Sequence, residues 1–275
     1  MARSGSSVSP DIKTCDPAWA RVREEAEELC SREPALASFV YSTILNQDTL
    51  EEAICHRIAQ RLTSTEVELG QLYKSFEDLV SANPVLAETF RADLAAVFDR
   101  DPACNRLIEP ILYFKGFHAL QTHRFAHQLW NDGRKDFAFY LQSQSSRIFT
   151  VDMHPAAKIG RGIMFDHATA IVVGETASIG DNSSILHGVT LGGSGKTAGD
   201  RHPKIGQGVM IGAGAKILGN INVGNCARVA AGSVVLKDVP EMTTVAGVPA
   251  KVVGQAGCPE PARSMNQLLE AASDS

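Results

Sequence analysis

Residues 205–235 read IGQGVM IGAGAK ILGNIN VGNCAR VAAGSV V, and this stretch decides the fold. An aliphatic residue returns at every sixth position, at Ile205, Ile211, Ile217, Val223, Val229 and Val235, often followed by a small residue such as Gly206, Gly212, Gly224 or Ala230. Two residues before each anchor stand Pro203, Val209, Ala215, Ile221, Ala227 and Ser233, mostly small or apolar. A period of six contains the strand period of two, so each anchor and the residue two before it face one interior, while glycines turn the chain at corners. Hexapeptide repetition of this kind predicts a three-sided coil of parallel strands, three hexapeptides to a turn.

The pattern extends upstream through Ile159, Phe165 and Ile171, then restarts two residues out of phase at Val173, Ile179, Ile185 and Leu191. Fourteen residues separate Leu191 from Ile205 where six are expected, so eight must loop out. From Met153 to Asp238 the repeat amounts to about four turns. His187 follows His167 by twenty residues, one turn plus the two-residue insertion, and the two should stack on one edge.

Composition marks where the coil begins. Of the 17 aromatic residues, only Phe165 lies beyond Phe149, whereas 19 of the 23 glycines follow residue 150. Upstream, from Asp16 to Phe149, apolar residues recur at three and four, as in Leu50, Ala53, Ile54, Ile58 and Leu62. Asp16-Pro17, Asp48 with Glu51, Asn83-Pro84 and Asp101-Pro102 read as helix starts. Six to eight helices fit, and the stretch 109–130, bulky almost all round, is expected at their centre, with Gly116 permitting a close contact. The chain therefore divides into a flexible N-terminus (1–15), a helical domain (16–150), a parallel β-helix (151–255) and a flexible C-terminal tail (256–275).

The 275 residues carry a formal charge of −5, which gives no electrostatic case for nucleic acid or an acidic membrane. No apolar run approaches a membrane span of about 20 residues, and residues 1–14 lack a secretory core. A cytoplasmic protein is expected. The six cysteines form no Cys-x-x-Cys pair and read as free thiols. His118, His123 and His127 lie in the central helical stretch; without a carboxylate cluster they read as packing and capping groups rather than metal ligands.

Several motifs together resemble bacterial serine acetyltransferases over roughly residues 16–255. They are Val151-Asp152-Met153-His154-Pro155, Phe165-Asp166-His167-Ala168-Thr169, Leu191 to Lys196 (LGGSGK), Gly199 to Lys204 (GDRHPK) and Ala246-Gly247-Val248-Pro249-Ala250. The resemblance implies a left-handed parallel β-helix and acetyl transfer from acetyl-CoA to L-serine, the first step of cysteine biosynthesis from serine. No cofactor is held permanently; acetyl-CoA is a co-substrate. His167 then matches the family's catalytic base, and Asp152 the carboxylate that orients it. Arg201 and His202 would hold the serine carboxylate, and Asp101 and Asp166 its ammonium group. Asp101, before Pro102, also reads as a helix N-cap. Gly193 is the candidate for contacting the thioester or its oxyanion, with Ala213 and Lys251, beside Pro249, near the pantetheine and nucleotide. His187 and His154 are carried as packing and structural residues.

The resemblance further implies trimers or dimers of trimers with sites at subunit junctions, inhibition by L-cysteine, and a docking tail for O-acetylserine sulfhydrylase. That tail ends in isoleucine in the family; this chain ends Ala271-Ala272-Ser273-Asp274-Ser275. Two phosphate-loop readings fail: Thr190 stands where Gly195-Lys196-Thr197 would need a glycine, and Gly199-Asp200 and Pro203 follow Gly193-x-Gly195 instead of a helix. The competing readings are acyl transfer to a sugar or another amine or alcohol, a zinc hydratase drawing on His167, His187 and His202, and a scaffold without catalysis.

Overall fold

The computed structural model describes residues 16–195 and 198–268. The expected flexible N-terminus, Cys15, Lys196 and the chain end at 269–275 lie outside the described residues. The helical domain runs α1 (Pro17–Arg32), α2 (Ala37–Val40), α3 (Leu50–Leu62), α4 (Leu69–Ala82), α5 (Val85–Arg100), α6 (Ile108–Leu112), α7 (Lys115–Asn131) and α8 (Lys135–Phe149). Asp16 caps α1 as expected, accepting from the amides of Ala18 and Trp19 ahead of Pro17. Thr49 and Glu52 form the cap of α3, one residue beyond the expected pair: Glu52 N–H donates to Thr49 Oγ1 and the Asp48 amide to Glu52 Oε2. Asp101 corrects a second expectation, because it closes α5 rather than opening a helix; its amide donates to Val97 O. The stretch 109–130 breaks at Tyr113-Phe114 into α6 and α7, and α7 is buried almost all round.

Three parallel sheets then form the sides of a prism. The first face stacks β1 (Val151–Met153), β4 (Ile171–Val173), β7 (Thr190–Gly192), β10 (Lys216–Leu218) and β13 (Val234–Val235). The second stacks β2 (Lys158–Ile159), β5 (Ser178–Ile179), β8 (Lys204–Ile205) and β11 (Asn222–Val223). The third stacks β3 (Met164–Asp166), β6 (Ser184–Leu186), β9 (Met210–Ile211), β12 (Arg228–Val229) and β14 (Thr243–Gly247), on which β15 (Ala250–Gln255) folds back antiparallel. Anchors such as Ile185, Leu191, Ile211 and Ile217 are fully buried, and so are Ile171, Val209, Ala215, Ala227 and Ser233 two residues before their anchors. Burial of this aliphatic column, at about 25 cal/mol per Å² of apolar surface, holds the coils together.

The prism has five coils rather than about four. A two-residue deletion hides the last one: Val229 pairs with Val245, and Val223 bridges Val239, sixteen residues on instead of eighteen. The eight-residue insertion falls where the spacing demands, whereas the two-residue insertion comes earlier than expected, before Ile171, which stands two residues ahead of its anchor Val173. Phe165 pairs with Ile185 twenty residues on while Val173 pairs with Leu191 after eighteen, so the two additional residues lie within 167–170. Ile179 pairs with Ile205, putting the eight-residue excess in the loop before β8.

The helical domain seals the foot of the prism. Asp93 of α5 and Arg124 of α7, both buried, pair at 3.1 Å. Asp93 Oδ1 accepts from the Ile163 amide, and Arg124 donates to the carbonyls of Ile159 and Gly160. Gly116 lies so close to the Phe165 carbonyl that any Cβ there would collide with it. His123 and His127 donate to the carbonyls of His154 and Pro155, the capping role their sequence suggested. Residues 256–268 depart from the expected free tail. Ser184 Oγ donates to Ala262 O, Arg228 to Asn266 O, and Arg263 of α9 (Pro261–Ser264) pairs with Asp99 of α5 at 2.8 Å. Polar groups buried at that edge need partners, and this segment supplies them.

Asp93→Ala leaves the Arg124 charge buried without its carboxylate, and urea denaturation should show a loss of about 3–5 kcal/mol. A second expectation concerns acid. Burial holds the His118 imidazole down at about 3 in the fold, against 6.5 for the free side chain. The unfolded chain takes up this proton first, so the stabilisation is complete above about pH 6.5 and is lost as pH falls toward 3. Each such proton contributes a slope of about 1.4 kcal/mol per pH unit. His118→Phe, which keeps the ring packed on Phe149, should flatten the acid side of a stability–pH curve by one proton.

Candidate active site

The polar residues singled out in the sequence occupy two different edges of the prism. Where the third face turns into the first, register aligns His167, His187, Ala213, Ala231 and Gly247 one above another. The main chain follows the same column, with Gly188 N–H to Thr169 O at 2.7 Å, Gly214 to His187 O at 2.8 Å and Gly232 to Ala213 O at 2.8 Å. At about 4.8 Å per coil this histidine edge is about 19 Å long. Lys251 lies at its top, on β15 opposite Ala246.

His167 stands at the foot of that edge, in the two-residue insertion. Its side chain is 78% exposed. The corner is bent sharply: His167, Ala168 and Ala170 adopt positive φ of 54°, 55° and 60°, a region that L-residues enter at a cost. Bonds from outside the corner hold it there. Ala170 N–H donates to Thr150 O, and Lys115 at the start of α7 donates to Thr169 Oγ1. The His187 ring meets that of His167 edge-on with centroids 5.9 Å apart.

Asp166, the residue before the insertion, is the one carboxylate within 4 Å of a His167 ring nitrogen among the described residues, at 3.8 Å. Burial pushes the Asp166 carboxyl above its usual range, the positive charge that His167 can carry opposes this, and the charge of Asp101 raises it further. Asp101 is thus drawn from the end of α5 to the same place, with Oδ1 held by the Ala103 amide at 2.8 Å. Two carboxylates set side by side favour a cationic partner.

The second edge, where the first face turns into the second, gathers His154, Glu175, Thr176, Gly193, Arg201 and His202. Arg201 pairs with Glu175 at 2.6 Å. The His202 ring is buried, with Nδ1 against Thr176, and Gly174 leaves room for it; a Cβ at 174 would overlap the ring. Gly193 lies beside Arg201 and His202 Nε2. Lys204 donates to Thr176 O and to Asp200, fastening the end of the out-looped segment.

Asp152 is not hydrogen-bonded to His167. It points out of the first face and accepts from Gln142 Nε2 of α8 at 2.7 Å. Its charge is felt by His154, whose imidazole is lowered chiefly by burial, and this sets it with the arginine edge. His154 itself packs against Trp130 and Phe139 and accepts from the Ala156 amide, in keeping with a structural part. His202 stands on a different edge from His167 and His187, so the three do not converge within one chain.

Glu175, Thr176, Gln142 and Lys115 were not singled out in the sequence. Glu175 and Thr176 were within reach of coil arithmetic: Thr176 precedes His202 by one turn plus the eight-residue insertion, which puts it directly below. Gln142 and Lys115 belong to helices whose docking on the prism no repeat announces.

Two family profiles match the chain: "Serine acetyltransferase, N-terminal" over residues 18–122 and "Bacterial transferase hexapeptide (six repeats)" over residues 202–237. A serine acetyltransferase of Haemophilus influenzae is 53% identical over 251 residues, 91% of this chain and 94% of that protein. Among solved structures, the serine acetyltransferase of Brucella abortus in complex with coenzyme A superposes with a TM-score of 0.88 at 59% identity, covering 90% of this chain and 99% of that one. A serine acetyltransferase in complex with cysteine gives 0.90 at 52% identity, covering 92% and 98%. The architecture is that of these proteins, a helical domain followed by a left-handed parallel β-helix.

Proposed function

The chain belongs to the serine acetyltransferase family, and from that premise we propose how its two edges divide the work. The enzyme transfers the acetyl group of acetyl-CoA to the hydroxyl of L-serine, giving O-acetyl-L-serine and CoA. A protonated serine hydroxyl is a poor nucleophile, so a base must take its proton as the oxygen attacks the thioester carbon. His167 is that base. It is exposed at the foot of the histidine edge, beside the carboxylates of Asp166 and Asp101, which receive the serine ammonium. The tetrahedral intermediate then expels the CoA thiolate, which recovers the proton from the imidazolium. Both substrates are bound together and no acyl-enzyme forms.

The observation that carries this reading is the column above His167. Its upper positions, Ala213 and the Gly247 turn, are small, and they lead straight to Lys251. An extended thioester laid along that groove would bring its acetyl group to the histidine. Arg201 and His202 offer hydrogen-bond donors for the serine carboxylate, and the Gly193 amide, beside them, suits the thioester oxygen.

These groups sit on separate edges of one prism, so a complete site needs the histidine edge of one chain against the arginine edge of the next. A trimer built on the β-helices provides that junction three times over, and Asp152 reaches His167 across it. Helical domains would join two such trimers. L-Cysteine, which differs from serine by sulfur for oxygen, fits the same pocket and acts as an inhibitor. No described helix is long and apolar enough to cross a membrane; action in the cytoplasm and without nucleic acid remains our reading from charge and composition.

His167→Ala tests the assignment. Thiol release from acetyl-CoA in the presence of serine should fall by about 10²–10⁴-fold, with circular dichroism and calorimetric acetyl-CoA binding unchanged. Wild-type turnover in that variant would overturn the base assignment.

A further inference from the structure

Thr176 and His202 form a hydrogen-bonded unit whose donors and acceptors can be counted. The Thr176 amide donates to His202 Nδ1 at 3.2 Å. An amide N–H can only donate, so Nδ1 carries no proton. The Thr176 hydroxyl lies 2.9 Å from the same nitrogen. Its oxygen already accepts from the amides of Arg201 at 3.0 Å and His202 at 3.1 Å, which fill its lone pairs. The hydroxyl proton is left for Nδ1 or for the neighbouring Asp200 carboxylate, and the amide alone already requires an unprotonated Nδ1.

We propose that Thr176 fixes His202 as the neutral imidazole with its proton on Nε2, a donor to the serine carboxylate with no lone pair left to act as base. The inference rests on the reading of His202 as a carboxylate contact. In the opposite tautomer Nε2 would present a lone pair to the carboxylate and repel it. Thr176 is thus a positioning residue, acting through the ring that it holds.

The surroundings agree with a neutral ring. Burial lowers the His202 imidazole first, and the neighbouring Arg201 charge lowers it further. Glu175, the carboxylate that could otherwise favour a protonated ring, is engaged by Arg201. The unit is itself clamped: Lys204 donates to the Thr176 carbonyl at 2.7 Å, and the ring lies against Gly174, where no side chain fits. The edge of the ring that carries Nε2 lies over Gly174 and also nears Gly193, the proposed neighbour of the thioester. The division between the two histidines follows. His167 has an exposed ring suited to taking a proton, whereas His202 is wired to donate one in a hydrogen bond and keep it.

Two measurements on the full-length enzyme test this. Neutron diffraction from the wild-type protein should find deuterium on His202 Nε2 and none on Nδ1; deuterium on Nδ1 overturns the inference whatever the role of His202. Steady-state kinetics of Thr176→Val and Thr176→Ser supply the functional arm. Valine removes the hydroxyl but keeps the amide on Nδ1, so the ring loses one of its two anchors, and the KM for serine should rise about three- to tenfold, the worth of one neutral hydrogen bond, while that for acetyl-CoA stays within about twofold. Serine restores the hydroxyl and should restore the KM. A KM for serine unchanged in Thr176→Val overturns the proposed effect on recognition. If the proton is on Nε2 but His202→Phe also binds serine normally, the carboxylate reading of His202 fails and the positioning role fails with it.

Discussion

Each coil of the prism rests on the one below through parallel main-chain hydrogen bonds, and this stacking governs where every functional side chain can be. A residue's place within the six-residue period decides its face or edge, and the register carries that choice from coil to coil. A regular stack offers only small residues and shallow corners. The residues proposed to do the chemistry stand where the register is interrupted: the two-residue insertion holds His167, and the eight-residue insertion ends in Arg201 and His202. Each is held by neighbours in the adjacent coil or by the helical domain, so the side chains stand on braced corners rather than on a free loop.

Stacking needs a fixed first layer, and the Asp93–Arg124 pair supplies it. The pair is buried; Asp93 also accepts from Gln121, and both members hydrogen-bond to the main chain of the first coil. A buried ion pair is weak evidence for net stability, because desolvation offsets much of its attraction. Its value here is positional. The same helices bring Asp101 toward Asp166 and Lys115 onto Thr169, so in the proposed site the helical domain supplies part of the serine-binding half as well as closing the prism.

Much of this was legible in the chain. The period of six marks the interior, the phase shifts announce both insertions though they place the shorter one after Ile171 instead of before it, and stacking of His187 on His167 follows from counting. The fifth coil was not legible, because a two-residue deletion after Val235 breaks the pattern while Val239 and Val245 keep the interior filled. Asp101 misled as a helix start because Asp-Pro is equally at home after a helix; tertiary packing of α5 decides between the two. The tail read as free because its apolar residues, among them the buried Ala256, Pro261 and Ala262, follow no period that announces burial. The pairing of Asp152 with His167 rests on the resemblance alone; within one chain Asp152 points out of the first face toward Gln142, whereas His167 stands at the corner that leads into that face.

That last separation makes the central claim, a site shared between neighbouring chains, open to a direct measurement. His167→Ala damages the histidine edge and Arg201→Ala the arginine edge, and each variant alone should be inactive. Trimers assembled at random from equal amounts of the two, by co-expression or by refolding together, pair an intact histidine edge with an intact arginine edge at about one junction in four. The account predicts recovery of about a quarter of wild-type turnover in the mixture. A mixture as inactive as its parents, in trimers shown to contain both chains, would contradict it.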